Sequence, residues 1–458
     1  MDFKTLPSDN LRLENVTIPG CLIGQSGVVR TALSIADGVI AASGGTPVDM
    51  RGAMVFPCFV DMHTHLDKGH IWPRSPNPDG TFMGALETVR ADKSGRWDSV
   101  DLPPRMNFSL NCAYAHGTRA IRTHLDYFGE TDEARVSWDV FAQIRDDWAG
   151  RIDLQAAVLT GIDMAADAGA LATCADLVAS HGGALGAVTY PEPDLRAWLT
   201  AYFEAAALRG MDLDFHVDET MDPEVNTLKD IAEIVLETGF KGKITVGHLC
   251  SLSVMEDAVA MATLDLVAKA GLDVVSLPMC NLYLQDRHAA RTPRGRGITL
   301  VHEMKARGIN VSFASDNTRD PFYAYGDMDM IEVMREATRI GHLDHSDDDW
   351  THAFLGNPAR ACGVTAPSLM PGAPADLVIC RAREWTELFA RPQADRIVLR
   401  DGRQIDRALP DYAELDYLMT PSSSEAVGQK ASPSSSEAVG QHASPSSSDA
   451  VGQGEIAK

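Results

Sequence analysis

Short apolar runs alternate with helical stretches through most of the chain. Eight runs read as buried strands: 54–61 (MVFPCFVD), 118–125, 153–159, 184–190, 211–217, 243–249, 272–277 and 309–315. Between them, 133–148, 193–209, 226–239 and 253–270 carry apolar positions at helical spacing. Eight strands separated by helices predict an α/β fold, a (β/α)8 TIM-type barrel over residues 57–365. An open doubly wound sheet would carry a glycine-rich phosphate loop early in the chain, and none is present.

The flanks have a different pattern. Residues 1–56 and 366–410 hold short β-like runs broken by Gly and Pro, and neither is long enough to build its own core. Together they predict one small β-sandwich assembled from both ends of the chain. Residues 421–458 repeat the unit PSSSEAVGQ, beginning at Pro421, Pro433 and Pro445, with Asp449 replacing Glu in the third copy. A unit with one Val and no aromatic buries too little apolar surface to offset chain entropy, which predicts a disordered tail.

Composition narrows the function. The chain of 458 residues is 45% hydrophobic and 23% charged, with 64 acids against 40 bases and a net charge of −24. That balance excludes a nucleic-acid binder, which needs a basic patch, and electrostatic attachment to anionic membranes. No apolar run approaches 18 residues. The eight cysteines are scattered without a CxxC pair, as in a protein with reduced, buried thiols, and predict a cytoplasmic location. A homo-oligomer is compatible with all of this.

The chemistry sits at strand ends. The first run leads into Asp61-Met-His63-Thr-His65-Leu-Asp67-Lys68. Side chains at i and i+2 of a strand share a face, so His63 and His65 can reach one ion. The HxH pair alone occurs in many proteins. The fifth run ends in His216-Val-Asp218-Glu219, the sixth in His248, and the eighth in Ser315-Asp316-Asn317. C-terminal strand ends converge on one barrel mouth. His63, His65, His216 and Asp316 then form a set suited to one divalent metal ion, Zn or Fe, with room for a water. His124 and Asp126 either line the mouth or form a buried pair. Lys68 pairs with Asp67 or Asp61, or meets a substrate carbonyl. Trp72, Tyr283 and Phe322 are aromatics that either stack on a flat ring or pack in the fold.

These segments, together with Arg122-Thr-His124-Leu-Asp126, Asn281-Leu-Tyr-Leu-Gln285 and Asp320-Pro321, resemble the amidohydrolase superfamily over about residues 10–410, and within it the cytosine deaminase-like branch. The resemblance implies metal ligands His63, His65, His216 and Asp316. It implies Glu219 as the proton shuttle to a ring nitrogen and His248 as the group that orients the attacking water. Asp316 would also take the water's proton. It places Gln285, Asn317, Lys68 and Phe322 near the substrate. Binuclear members of the superfamily bridge two ions with a carboxylated lysine. No lysine occurs between Lys93 and Lys229, so one ion is expected unless a carboxylate such as Glu192 bridges. The glutamine that cytosine deaminases place after the third strand is missing from Val158-Leu-Thr160-Gly161-Ile162-Asp163, and Asn317 replaces a second Asp. Both changes fall on substrate recognition.

The expected activity is hydrolytic deamination of a small nitrogen heterocycle with release of ammonia. The alternatives are a cyclic-amide or N-alkylamino-triazine hydrolase on the same centre, or a non-catalytic metal-binding barrel, against which the presence of Glu219 argues. The long segment 67–103 after the first strand is expected to cover the pocket.

Overall fold

The structure, a computed structural model, describes residues 2–7, 10–128, 131–345 and 350–420. Strands Phe59–Thr64, Thr118–Asp126 and Asp153–Leu159 pair in parallel as one arc of a barrel. Leu213–Val217, Ile244–His248, Asp273–Ser276 and Asn310–Phe313 form a second parallel arc. Residues 184–190 stand between the arcs and bridge to both, at Ala157↔Ala184 and Gly161↔Val188 on one side and Leu185↔Leu213 and Val188↔His216 on the other. A parallel bridge between Thr64 and Asp316 closes the ring. The eight-membered barrel is therefore the one the hydrophobic pattern predicts.

Two local readings need correction. The run 54–61 is not one strand. Met54–Pro57 pairs antiparallel with Leu377–Cys380 in the flanking sheet, and the barrel strand begins at Phe59. The chain changes partner around Cys58, whose N–H donates to Asp376 O while that of Phe59 donates to Gly117 O. The run 184–190 is not a regular strand either. At Gly186 a Cβ would collide with the carbonyl oxygen of Asp214, so the backbones approach closely there. The helices follow the predicted spacing: Thr131–Asp147, Leu195–Arg209 and Thr227–Thr238. The stretch 253–270 begins late, at Asp257, because Glu256 is extended and Cys250–Ser253 forms a separate 3-10 turn.

Strands from the two flanks are joined by hydrogen bonds into one eight-stranded sheet. At its junction with the barrel, Gly117 has φ 98° and abuts Val378, a place where a Cβ would not fit. Residues 411–419, which the sequence pattern leaves unassigned, belong to the same compact body. Tyr412 stacks on Phe108, and Leu418 O accepts from Arg74 Nη1. The repeats at 421–458 lie outside the described residues.

Inside the barrel, one polar layer underlies the mouth. Arg122 Nη1 donates to Asp214 Oδ2 at 3.0 Å, and His124 Nε2 lies 3.1 Å from Asp214 Oδ1, all of them buried. Removing one partner of a buried pair strands the other's charge. Arg122→Met is expected to cost about 3–5 kcal/mol, read as a lower denaturation midpoint in urea. A loss below about 1 kcal/mol would show that Asp214 is compensated without Arg122.

Candidate metal centre and active site

His63 and His65 leave the first strand on one side, as i and i+2 residues must. Asp61 shares that face and accepts from Ser315 N at 3.0 Å and Ser315 Oγ at 2.5 Å, which ties the first strand to the eighth. Asp316 follows directly, its N–H donating to His63 O at 2.9 Å. His216 Nε2 lies 3.1 Å from His63 Nε2 and 3.4 Å from His65 Nε2, while Asp316 Oδ1 is 3.2 Å from His65 Nε2 and 3.6 Å from His63 Nε2. The four side chains expected as ligands thus converge. Glu192 is exposed and has no place in this cluster.

Burial sets the protonation of this cluster. It holds His63, His65 and His216 well below the usual imidazole range, and neighbouring imidazoles or Lys68 push the same way. Neutral imidazole is the form that binds metal. Burial also pushes Asp316 up to about 8. Both Asp316 carboxylate oxygens are buried without a hydrogen-bond partner. Three neutral imidazoles and an otherwise unsatisfied carboxylate fit a divalent ion, and a cation there would hold Asp316 ionised.

His248 and Glu219 stand beside the cluster. His248 ends the sixth strand with φ 73°, and Asp316 has φ 65°. Such conformations are uncommon for residues with a side chain and are sustained where packing fixes them. Asn281 Nδ2 lies 3.0 Å from His248 Nδ1, so with the amide as donor the proton of a neutral ring is on Nε2. That nitrogen has no protein partner. Burial pushes His248 down to about 3. Asp218 adopts φ 52° and accepts from Thr227 N, Thr227 Oγ1 and Leu228 N, turning the chain so that Glu219 faces the mouth. Glu219 Oε1 is 3.3 Å from His248 Nδ1. Burial first, then the charge of Asp316, raises Glu219 well above the carboxylate range. It is a carboxylic acid able to give a proton.

These groups open into a cavity of ≈ 1260 Å³ whose walls include Lys68, Gln285, Asn317 and Phe322. Lys68 bonds neither Asp61 nor Asp67. Its ammonium donates to Asp126 Oδ1 at 2.7 Å and stands 5.5 Å from the Phe322 ring. Asn317 Nδ2 donates to Asp320 Oδ2 at 2.8 Å, and Gln285 Nε2 to Glu219 O at 3.4 Å. Trp72 and Tyr283 do not line the cavity. His124 does not line it either; its ring packs 4.0 Å from that of His63, and its ring nitrogens group with those of His63, His65 and His216. The segment 67–103 supplies a wall through helix Phe82–Arg96, whose Phe82, Leu86 and Val89 face inward. Arg74, buried and bonded to Asp92 and Asp101, anchors that segment.

Residues 127–406 match the family model described as the amidohydrolase family. A pterin deaminase from Rhizobium rhizogenes is 51% identical over 419 residues, 88% of this chain and 95% of the relative. The chain belongs to the amidohydrolase family. Among solved structures, 5-methylcytosine deaminase from Klebsiella pneumoniae, bound to 5-fluorocytosine, matches this amidohydrolase with a TM-score of 0.73 at 23% identity, over 87% of this chain and 98% of its own. N-isopropylammelide isopropylaminohydrolase from Burkholderia multivorans matches with a TM-score of 0.68 at 24% identity, over 86% and 98%. These likenesses show the same barrel-and-flank fold. The family is metal-dependent, in keeping with the donor set of this amidohydrolase.

Sequence reasoning gave no role to Asn281 or Asp214. Asp214 was marked by its spacing: an acid two positions before His216 in an apolar strand shares that residue's inward face. Asn281 carried no such mark, because its contact with His248 spans 33 positions. Asn281→Ala should free the His248 ring and lower kcat about 10–100-fold while metal content stays unchanged. Equal loss of metal and turnover would make Asn281 a support of the metal cluster instead.

Proposed function

We propose that this amidohydrolase is a cytoplasmic hydrolytic deaminase of a fused, aminated nitrogen heterocycle of the pterin class, working with one zinc or iron ion. The observation that carries the chemistry is Glu219, a buried carboxylic acid 3.3 Å from His248 at the edge of the metal cluster. The substrate class is supported by the 51% identical pterin deaminase and by a cavity roomy enough for two fused rings with apolar side chains on its walls. The alkylamine-releasing alternative rests on a relationship at 24% identity and is the weaker reading.

His63, His65, His216 and Asp316 would hold the ion, whose chemistry is to bring the pKa of a water toward neutrality. Asp316 takes a proton from the attacking water at a carboxylate oxygen that no protein donor occupies. Glu219 delivers its proton to the ring nitrogen next to the carbon under attack. The tetrahedral carbon then expels its amino group, which takes the proton held by Asp316 and leaves as ammonia, while the hydroxyl returns a proton to Glu219 and becomes a carbonyl. His248 Nε2–H orients the incoming oxygen. Phe322 offers a ring face to the heterocycle, and Lys68, Asn317 and Gln285 stand within reach of its polar edge. The negative charge of the chain suits a small neutral or weakly basic substrate rather than an anionic polymer.

Glu219→Gln should keep one metal ion per chain, and ammonia release from pterin should fall about 10²–10⁴-fold. Retained turnover would remove Glu219 from the proton path. Elemental analysis of the parent protein is expected to give one tightly held ion per chain, and two would overturn the mononuclear centre. No ammonia from a panel of aminated pyrimidines, pterins, purines and triazines would overturn the deaminase reading in favour of cyclic-amide hydrolysis.

A further inference from the structure

The short helix Pro278–Leu284, which follows the seventh barrel strand, turns two neighbouring side chains toward the site. Asn281 meets His248. Cys280, one position earlier and buried, has no part in the chemistry above. Its thiol donates to Asn317 Oδ1 at 3.5 Å and, more distantly, to Phe322 O at 3.9 Å. Asn317 and Phe322 both line the cavity.

The other end of the Asn317 amide is held by Asp320. Asn317 Nδ2 donates to Asp320 Oδ2 at 2.8 Å, while Asp320 Oδ1 accepts from Phe322 N at 2.8 Å and Tyr323 N at 3.1 Å. A carboxylate that accepts on both oxygens has nothing to donate to an amide carbonyl, and a thiol cannot donate to an amide nitrogen. The two partners therefore select the same orientation of Asn317, oxygen toward Cys280 and nitrogen toward Asp320. The turn that carries Asp320 is fixed in its own right. Asn77 Nδ2 donates to Pro321 O at 3.0 Å, and Arg319 N to Tyr325 O at 2.8 Å. Cys280, Asn317 and Asp320 are all buried, so water competes little for these bonds. An aspartate in place of Asn317 would instead set a second negative charge against Asp320. An amide nitrogen carries two hydrogens, and Asp320 engages one.

We propose that Cys280 is a positioning residue which, with Asp320, holds Asn317 so that its second N–H meets a carbonyl oxygen or an unprotonated ring nitrogen of the substrate. The wall beside the metal cluster then donates rather than accepts. It favours a heterocycle with lone pairs on that edge, as in the pterin class, over one that presents N–H there. This deepens the deaminase reading and rests on it for the identity of the substrate. The contact itself is one of binding, so affinity reports on it separately from turnover.

The test uses the metal-loaded enzyme and pterin, with KM, kcat, Kd by fluorescence titration and metal content measured together. Cys280→Ala should raise KM and Kd about three- to tenfold, with kcat within about threefold of the parent and metal content unchanged. Cys280→Ser keeps a buried donor and should return KM and Kd to within about twofold of the parent. Asn317→Asp keeps the size but replaces the donor with an acceptor, and should raise both about tenfold or more. In an Asn317→Ala background, Cys280→Ala should add nothing, because no amide is left to hold. An unchanged Kd in Cys280→Ala, a serine variant as weak as the alanine one, additive losses in the double variant, or metal loss in step with affinity would each overturn the proposal. A parent that binds pterin but releases no ammonia from it would overturn the deaminase reading alone, since the Kd series still decides the role of Cys280. A parent that does not bind pterin would overturn both.

Discussion

His63, His65 and His216 turn ring nitrogens toward one another in a space that water barely reaches, with Asp316 beside them. Lone pairs and a carboxylate packed this way repel, and burying them unpaired costs several kcal/mol. A cation at their centre reverses the sign of every one of these interactions. The surrounding structure supplies what keeps the donors from relaxing apart. Asp61 clamps Ser315 just before Asp316, and His124 packs under His63 while facing Asp214. Gly247 lets the His63 ring lie against the sixth strand, where a Cβ would come within 3.2 Å of it. The positive φ of His248 and Asp316 belongs to the same constraint, since both strands must turn sharply to present a side chain inward and still send the backbone away.

That requirement organises the charges around the mouth. Lys68 is buried yet held charged by Asp126 and Asp67, which outweigh its loss of water. Asp67 Oδ2 in turn accepts from Asp126 N, and Lys93 Nζ donates to Asp126 O. The loop after the first strand is thus tied to the end of the second. Farther out, Arg74 spans Asp92 and Asp101 and carries helix Phe82–Arg96 to its place on the cavity wall. Specific polar groups cluster at the metal end, whereas helix Phe82–Arg96 contributes mainly apolar surface. This is the usual division between fixing a reacting atom and accommodating the rest of a ligand.

The barrel and the cluster of candidate ligands in its mouth were legible because both follow a period of two. Asp61, His63 and His65, then Arg122, His124 and Asp126, then Asp214, His216 and Asp218 each place polar residues at alternate positions in otherwise apolar runs. An alternating polar face inside a barrel marks a site. What the chain did not disclose depends on contacts between distant segments. The partner of Lys68 proved to be Asp126, 58 positions away, rather than a neighbour in sequence. The change of sheet near Cys58 is invisible in MVFPCFVD, because both halves of the run are equally apolar. Helix Phe82–Arg96 was missed because its apolar residues are sparse and its position is set by the Arg74 anchor.

The irregular fourth position of the barrel is the most instructive departure. At Gly186 the carbonyl of Asp214 leaves no room for a side chain, so the two backbones approach closely there. That close approach brings the strand carrying Asp214 and His216 inward, toward Arg122 and His63. It also leaves Thr189 and Tyr190 at the end of a segment bound by isolated bridges, so both line the cavity. Local sequence rules fail here because the backbone geometry serves the metal cluster and the substrate wall together, as happens where a fold gives up regularity for a site.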